Sequence, residues 1–142
     1  MQTENPDFRR KVQEIFDRAA FIAEVGISVS GIGVGWCETT LAVAPKHLQQ
    51  NDYVHAGVLA TMADHTAGGA AGSVVKEEQV VLSVEFKINL LRPAMGEALR
   101  CKANLLKAGR TLIVAESEVF ARAGAEEKLV AKATVTLAVV SR

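Results

Sequence analysis

The sequence predicts an α+β domain: a curved antiparallel sheet wrapped around one long central helix, with a further helix at the N-terminus. Three observations carry this prediction. Residues 55–75 (HAGVLATMADHTAGGAAGSVV) are almost all small or apolar, lack a polar stripe and run too long for a strand. From Gln79 onward, apolar and polar residues alternate in segments divided by short turn signals, as in strands that pair antiparallel. Residues 8–24 space Phe8, Val12, Ile15, Phe16 and Ala19 along one helical face, with Arg9, Arg10, Glu14 and Asp17 between them. One long helix against sequential strands is a two-layer arrangement. The 142 residues suffice for one domain whose core needs no disulfide or metal staple.

Taken in order, the first helix has a start signal at Asn5–Pro6–Asp7 and a breaker at Gly26. Residues 27–44 read as extended structure. Val29, Ile32, Val34 and Trp36 favour strands, the glycines mark bends or bulges, and Pro45 closes the stretch. Residues 45–54 are a polar connection. In the buried helix, Gly68, Gly69 and Gly72 each cost about 1 kcal/mol relative to alanine. That cost makes sense where another element packs close to the backbone, as a sheet curled around the helix would. The next strand places Leu82, Val84, Phe86, Ile88 and Leu90 on one face and Ser83, Glu85, Lys87 and Asn89 on the other. Pro93 and Gly96 end it. Three more strands follow over 97–108, 111–122 and 128–140, turned at 108–110 and near Gly124.

Composition narrows the function classes. Sixteen basic residues balance sixteen acidic ones. This argues against a nucleic-acid partner, whose affinity comes mainly from neutralised phosphates, and against a polybasic membrane-surface protein. No apolar run reaches the about 18–20 residues of a membrane span, and the first residues show no secretory signal. Cys37 and Cys101 form neither a CxxC pair nor a disulfide framework, so two unpaired, core-like thiols in a reducing cytoplasm are expected. The run Gly31–Ile32–Gly33–Val34–Gly35 lacks the final glycine, the lysine and the following helix of a phosphate loop, and reads as a strand bulge. No GxSxG elbow is present.

The segment HAGVLATMAD, from His55 to Asp64, resembles the HGGxxxxLAD signature of PaaI-type acyl-CoA thioesterases, within the 4-hydroxybenzoyl-CoA thioesterase family. The runs INLLRPAMGEALRCKANLLKAGRT and LVAKATVT are similar to that family as well. The element order matches its hotdog fold, in which a sheet wraps a central helix. The resemblance covers about residues 20–140. It implies a single hotdog thioesterase domain over 1–142 that acts on acyl-CoA without cofactor or metal. It also implies a cytoplasmic homodimer with shared sites, a dimer of dimers remaining open. Ala56 stands where the family has the first glycine of the triplet, and Asn51 loosely matches its upstream asparagine.

The residues themselves allow the same chemistry. Thioester hydrolysis needs donors where the carbonyl oxygen gathers charge, and an activated water or a carboxylate to attack the carbon. The start of the buried helix offers free N–H groups at Ala56 and Gly57, and one such donor is worth about 3–4 kcal/mol in the barrier. Asp64, the one acidic residue of that helix, is read as a costly buried carboxylate with a tuned basicity, acting as general base or as nucleophile. At about 1.5 Å per residue, positions 56–57 and 64 lie about 11 Å apart, so two antiparallel helices across a two-fold serve one site better than one helix does. His55 either fixes the loop by hydrogen bonds or touches the substrate. His65 points to another helix face and reads as structural. His55, Asp64 and His65 scatter around the helix, which disfavours a metal site.

Ser83 matches a position where related thioesterases carry a hydroxyl near the attacking water. Strict alternation puts it on the polar face beside Glu85, so it reaches the site only through a bulge or across a dimer. Arg92, Lys107 and Arg110 are candidates for the phosphates of coenzyme A, against solvated surface charge as the default. A non-catalytic acyl-CoA-binding module and a hotdog hydratase or dehydratase are the alternative functions. The small residues along the helix, with Val58 and Met62, suggest an apolar pocket for a medium-chain or aryl acyl group.

Overall fold

The N-terminal amphipathic segment forms two helices rather than one. The structure, a computed structural model, describes residues 1–142. Helix α1 spans Phe8–Asp17 and α2 spans Ala20–Val25. The break falls at Ala19, whose backbone is extended (φ −90°, ψ 95°). It lets α1 bury Val12 and Phe16 while α2 turns to bury Ile22. The start signal acts through Asn5, buried, whose Oδ1 accepts from the Asp7 N–H at 2.9 Å. The Asp7 carboxylate makes no cap bond and pairs instead with Arg10 at 2.7 Å.

Residues 27–44 fold as a hairpin. Strand β1 (Ile27–Gly33) and strand β2 (Trp36–Ala42) are joined at Val34–Gly35, where Gly35 takes φ +81°. The glycine run is therefore strand and turn, with the bulge between Val29 and Gly31. A short 3₁₀ turn (Pro45–His47) lies within the polar connection.

Helix α3 spans Ala56–Gly72, and β3 (Gln79–Leu90), β4 (Ala98–Ala108), β5 (Leu112–Ala123) and β6 (Glu126–Ser141) follow. All pairings are antiparallel, and the sheet runs β1-β2-β4-β5-β6-β3. Its concave face covers α3. Leu41, Leu99, Ile113, Val119, Val135 and Leu137 meet Leu59, Met62, Ala63, Ala67, Ala70 and Ala71 in one core. Burial pushes the Cys37 and Cys101 thiols up to about 12, so both are core hydrophobes rather than nucleophiles at neutral pH. No helix is long and apolar enough to cross a membrane.

The three helix glycines differ. A Cβ at Gly69 would sit 2.8 Å from Cys37 Sγ and 3.0 Å from Phe16 Cε2, so the close approach requires glycine there. At Gly72 it would press on the flexible tip of Ile15 and otherwise make ordinary contact with Val12, and at Gly68 it would meet nothing. Gly69→Ala is therefore expected to destabilise by about 1–3 kcal/mol through overpacking, net of its helix-propensity gain. Gly68→Ala is expected to stabilise by up to about 1 kcal/mol. Urea unfolding of the two variants measures the contrast; equal effects would contradict this packing.

Strand β3 departs from simple alternation. Its register against β6 shifts between Ser83 and Glu85: Ser83 pairs with Leu137, Glu85 with Thr136, and Val84 is the extra residue. The bulge inverts the phase of the strand. Ser83, beside inward Leu137, turns toward α3, whereas Leu82 turns to the outer face and is 58% exposed. The single apolar face expected for Leu82 through Leu90 is thus split at the bulge.

Candidate active site

Helix α3 begins with a cap made by its own preceding residue. His55 has an extended backbone (φ −61°, ψ 138°), and its Nδ1 accepts from the Gly57 N–H at 2.8 Å. Gly57 is thereby occupied rather than free, which corrects the expectation of two open donors. The Ala56 N–H has no intrahelical acceptor, and Ala56 is exposed. The open donor at the positive end of the helix is therefore Ala56. His55 holds this end by hydrogen bonding, the first of its two expected roles. Thr61 Oγ1 donates to the Gly57 carbonyl at 2.7 Å.

Two turns along the helix, Asp64 faces β3, and Ser83 Oγ donates to Asp64 Oδ1 at 2.6 Å. The bond engages Oδ1 and leaves Oδ2 to accept from a water. Asp64 is half-buried, not sealed in an apolar interior as expected. It sits where two cavities meet. One, of about 150 Å³, is walled by Ile15 of α1, Gly68 and Gly72 of α3, Val80 and Val81 of β3, and Leu137. The other, of about 300 Å³, lies on the opposite side among Phe21, Ile22, Ala60, Thr61 and Phe86. Asp64 and His65 line both, and neither has a lysine or arginine in its wall.

His65 ties α3 to α1. Its Nε2–H donates to the Ile15 carbonyl at 3.1 Å, and its ring meets Phe16 edge-on at 4.7 Å. Burial holds its imidazole below the usual pKa, so it is neutral at physiological pH. It is a wall residue with a structural bond, and His, Cys, Asp and Glu side chains do not gather in threes as a metal site would require.

The remaining candidates lie apart. Asn51 is exposed in the turn between Gln49 and Tyr53, with its N–H bonded to the Gln49 side chain. Arg92 donates to the Leu129 carbonyl at 2.8 Å, at the end of the sheet where Ala94 receives the Val54 N–H ahead of α3. Arg110 and Lys107 are exposed at the β4–β5 hairpin, the other end of an 11-residue strand. Arg92 and Arg110 of one chain therefore cannot grip the same phosphate group.

The structure therefore joins a sheet-wrapped helix, an open N–H at its start and a hydroxyl-bonded carboxylate at its middle. A family model described as the thioesterase superfamily matches residues 51–128, and the chain belongs to that family. A crystal structure of a thioesterase family protein from Silicibacter pomeroyi is 36% identical and superposes with a TM-score of 0.93, over 95% of this chain and 99% of that one. A Haemophilus influenzae protein that carries an esterase name is 29% identical over 121 residues, 84% of this chain and 85% of its own. The 1,4-dihydroxy-2-naphthoyl-CoA hydrolase of Listeria monocytogenes is 25% identical over 115 residues, 81% of this chain and 91% of its own. The chain is a thioester hydrolase with the hotdog fold.

Proposed function

We propose that the protein hydrolyses acyl-CoA thioesters with a medium-chain or aryl acyl group, using Asp64 as general base on water. The observation that carries this reading is the 2.6 Å bond from Ser83 to Asp64 at the junction of two cavities. Ser83 orients one carboxylate oxygen, and the other takes a proton from water as the water oxygen attacks the thioester carbon. The Ala56 N–H of a second chain receives the developing oxyanion. Collapse expels the CoA thiolate, which takes the proton back from Asp64, leaving the free acid and CoA. Along a regular helix, Ala56 and Asp64 of one chain are about 12 Å apart, too far to flank one carbonyl. A homodimer with two shared sites solves this.

The open edge at β3 supports such a dimer. Beside the unpaired backbone of that strand, Phe86 is 42% and Leu90 53% exposed. A second β3 would pair with it antiparallel. The same apposition brings a partner helix toward the Asp64 side of the sheet. A pairing of two such dimers and a cytoplasmic setting remain compatible with this reading. Asn51, Arg92 and Arg110 are assigned to the CoA arm at the rim, with Arg92 and Arg110 contributed by different chains.

The apolar cavity sets the acyl preference. The cavity beside Asp64, about 150 Å³, is polar at Asp64, His65 and Ser83, where the water sits, and apolar at Ile15, Val80, Val81 and Leu137, where a ring or short chain fits. The wall without lysine or arginine disfavours a carboxylate at the far end of the substrate. Since a side chain at Gly68 meets open space, Gly68→Val is expected to fill this cavity. Its kcat/KM for hexanoyl-CoA and phenylacetyl-CoA should fall by about tenfold or more, with acetyl-CoA little changed. Uniform loss across the series would place the acyl group elsewhere. The hydratase alternative would need His55 to act through Nε2, since its Nδ1 accepts from the Gly57 N–H.

A further inference from the structure

Between the large side chains of the core, the contact of α3 with the sheet holds a patch of small residues: Ala63, Ala67, Gly69 and Ala70 on the helix, and Cys37, Cys101, Ala103, Ala115 and Ala133 on the strands. Small side chains let the two layers approach closely. Within that patch they offer few ridges and grooves to fix how the middle of the helix is turned. Three fully buried hydroxyls lie beside this patch, around the middle of α3. Ser117 Oγ donates to the Ala63 carbonyl at 2.7 Å, using the lone pair beyond the helix bond. Thr39 and Thr66 share a hydrogen bond of 2.8 Å between their hydroxyls. All three residues have no solvent exposure.

Their placement is a mount for one residue. Thr39 is on β2 and Ser117 on β5, the second and fourth strands of the sheet, and Ser83, on β3, is on the sixth. The helix groups that meet them lie within four residues: the Ala63 carbonyl, the Asp64 carboxylate and the Thr66 hydroxyl. At about 100° per residue, Asp64 and Thr66 point about 200° apart, to opposite sides of the helix. A rotation or slide that carries Asp64 away from Ser83 therefore stretches the Thr39–Thr66 bond on the far side and the Ser117 bond beneath.

We propose that Ser117, Thr39 and Thr66 are positioning residues that hold α3 in the one setting where Asp64 meets Ser83. They touch neither substrate nor water and act through the helix. The consequence for turnover rests on the role of Asp64 given above; the mechanical claim does not. A misplacement of about 1 Å at a reacting group costs up to about 10²-fold in rate, so a loss of this mount is visible in kcat while KM holds.

The test uses the full chain. Thr39→Val/Thr66→Val removes both hydroxyls of the pair at nearly constant shape and leaves only the weakly bonding Cys101 thiol beside them, so it should fold with a melting temperature within about 4 °C of the parent. Adding Ser117→Ala leaves the Ala63 carbonyl with its helix bond. The triple variant should show kcat lowered by about tenfold or more with KM within about twofold, and a crystal structure in which the Ser83–Asp64 separation exceeds about 3.2 Å, beyond hydrogen-bond range. Thr39→Ser/Thr66→Ser, which keeps both hydroxyls, should retain turnover. A triple variant that keeps the short Ser83–Asp64 bond overturns the proposal whatever its rate. One that loses the bond yet turns over normally leaves the mount established and overturns the catalytic role of Asp64, which a fully active Asp64→Asn would show independently.

Discussion

Asp64→Asn is expected to lower kcat on an acyl-CoA thioester by at least about 10²-fold, with KM changed far less. Asparagine keeps the size and still accepts from Ser83 Oγ, so the short contact and the cavities on either side survive. What disappears is an oxygen basic enough to take a proton from water. Loss through misfolding is not expected, because Asp64 is half-buried and makes no ion pair. Steady-state thiol release and equilibrium binding of an acyl-CoA separate the two effects. Near-normal turnover in this variant would remove Asp64 from the chemistry.

The second large effect is expected from Ala56→Pro. Proline at the first helical position is accepted, and His55 already has the extended backbone that a following proline demands. The substitution deletes the Ala56 N–H and leaves the His55–Gly57 cap in place. If that donor receives the oxyanion, kcat should fall by about 10²–10³-fold. The shared-site geometry adds a sharper expectation. Mixing Ala56→Pro chains with Asp64→Asn chains and allowing exchange should restore activity, since each mixed dimer regains one intact site. With random pairing the recovery approaches about a quarter of the parent rate. Mixed samples no more active than the two inactive parents would mean that each site is built within one chain.

Much of this fold was legible because its signals are strong and local. The 55–75 segment has no polar stripe, which only a helix wrapped on most sides tolerates, and α3 is wrapped by all six strands of one sheet. The four alternating segments after Gln79 became β3 to β6. The break at Ala19 was invisible because Ala19 suits a helix; the turn there is dictated by where Phe16 and Ile22 must pack.

The site was readable in part. The His-to-Asp segment marked the helix start, which falls at Ala56 after His55, and it put Asp64 on that helix. Ser83 could be named only conditionally, because a bulge is a two-strand property that depends on the register with Leu137 and Thr136. The capture of Gly57 by His55 depends on a rotamer and leaves no mark in composition. Thr39 and Ser117 did leave a signal: each interrupts an otherwise inward apolar series, between Cys37 and Leu41 and between Ala115 and Val119. A polar residue in the inward phase of a buried strand needs a partner, and here that partner is the helix carrying Asp64. The half of the site that a second chain would supply has no trace in one chain's periodicity beyond the apolar, unpaired edge of β3.

The most direct measurement is CoA release by the unmodified protein over acetyl-, hexanoyl-, decanoyl-, phenylacetyl- and succinyl-CoA, followed as free thiol. Hydrolysis at an apolar cavity of about 150 Å³ beside Asp64 predicts turnover with kcat/KM highest for hexanoyl- or phenylacetyl-CoA and lowest for succinyl-CoA. Tight binding of these thioesters without thiol release, or a clear preference for succinyl-CoA, would contradict it.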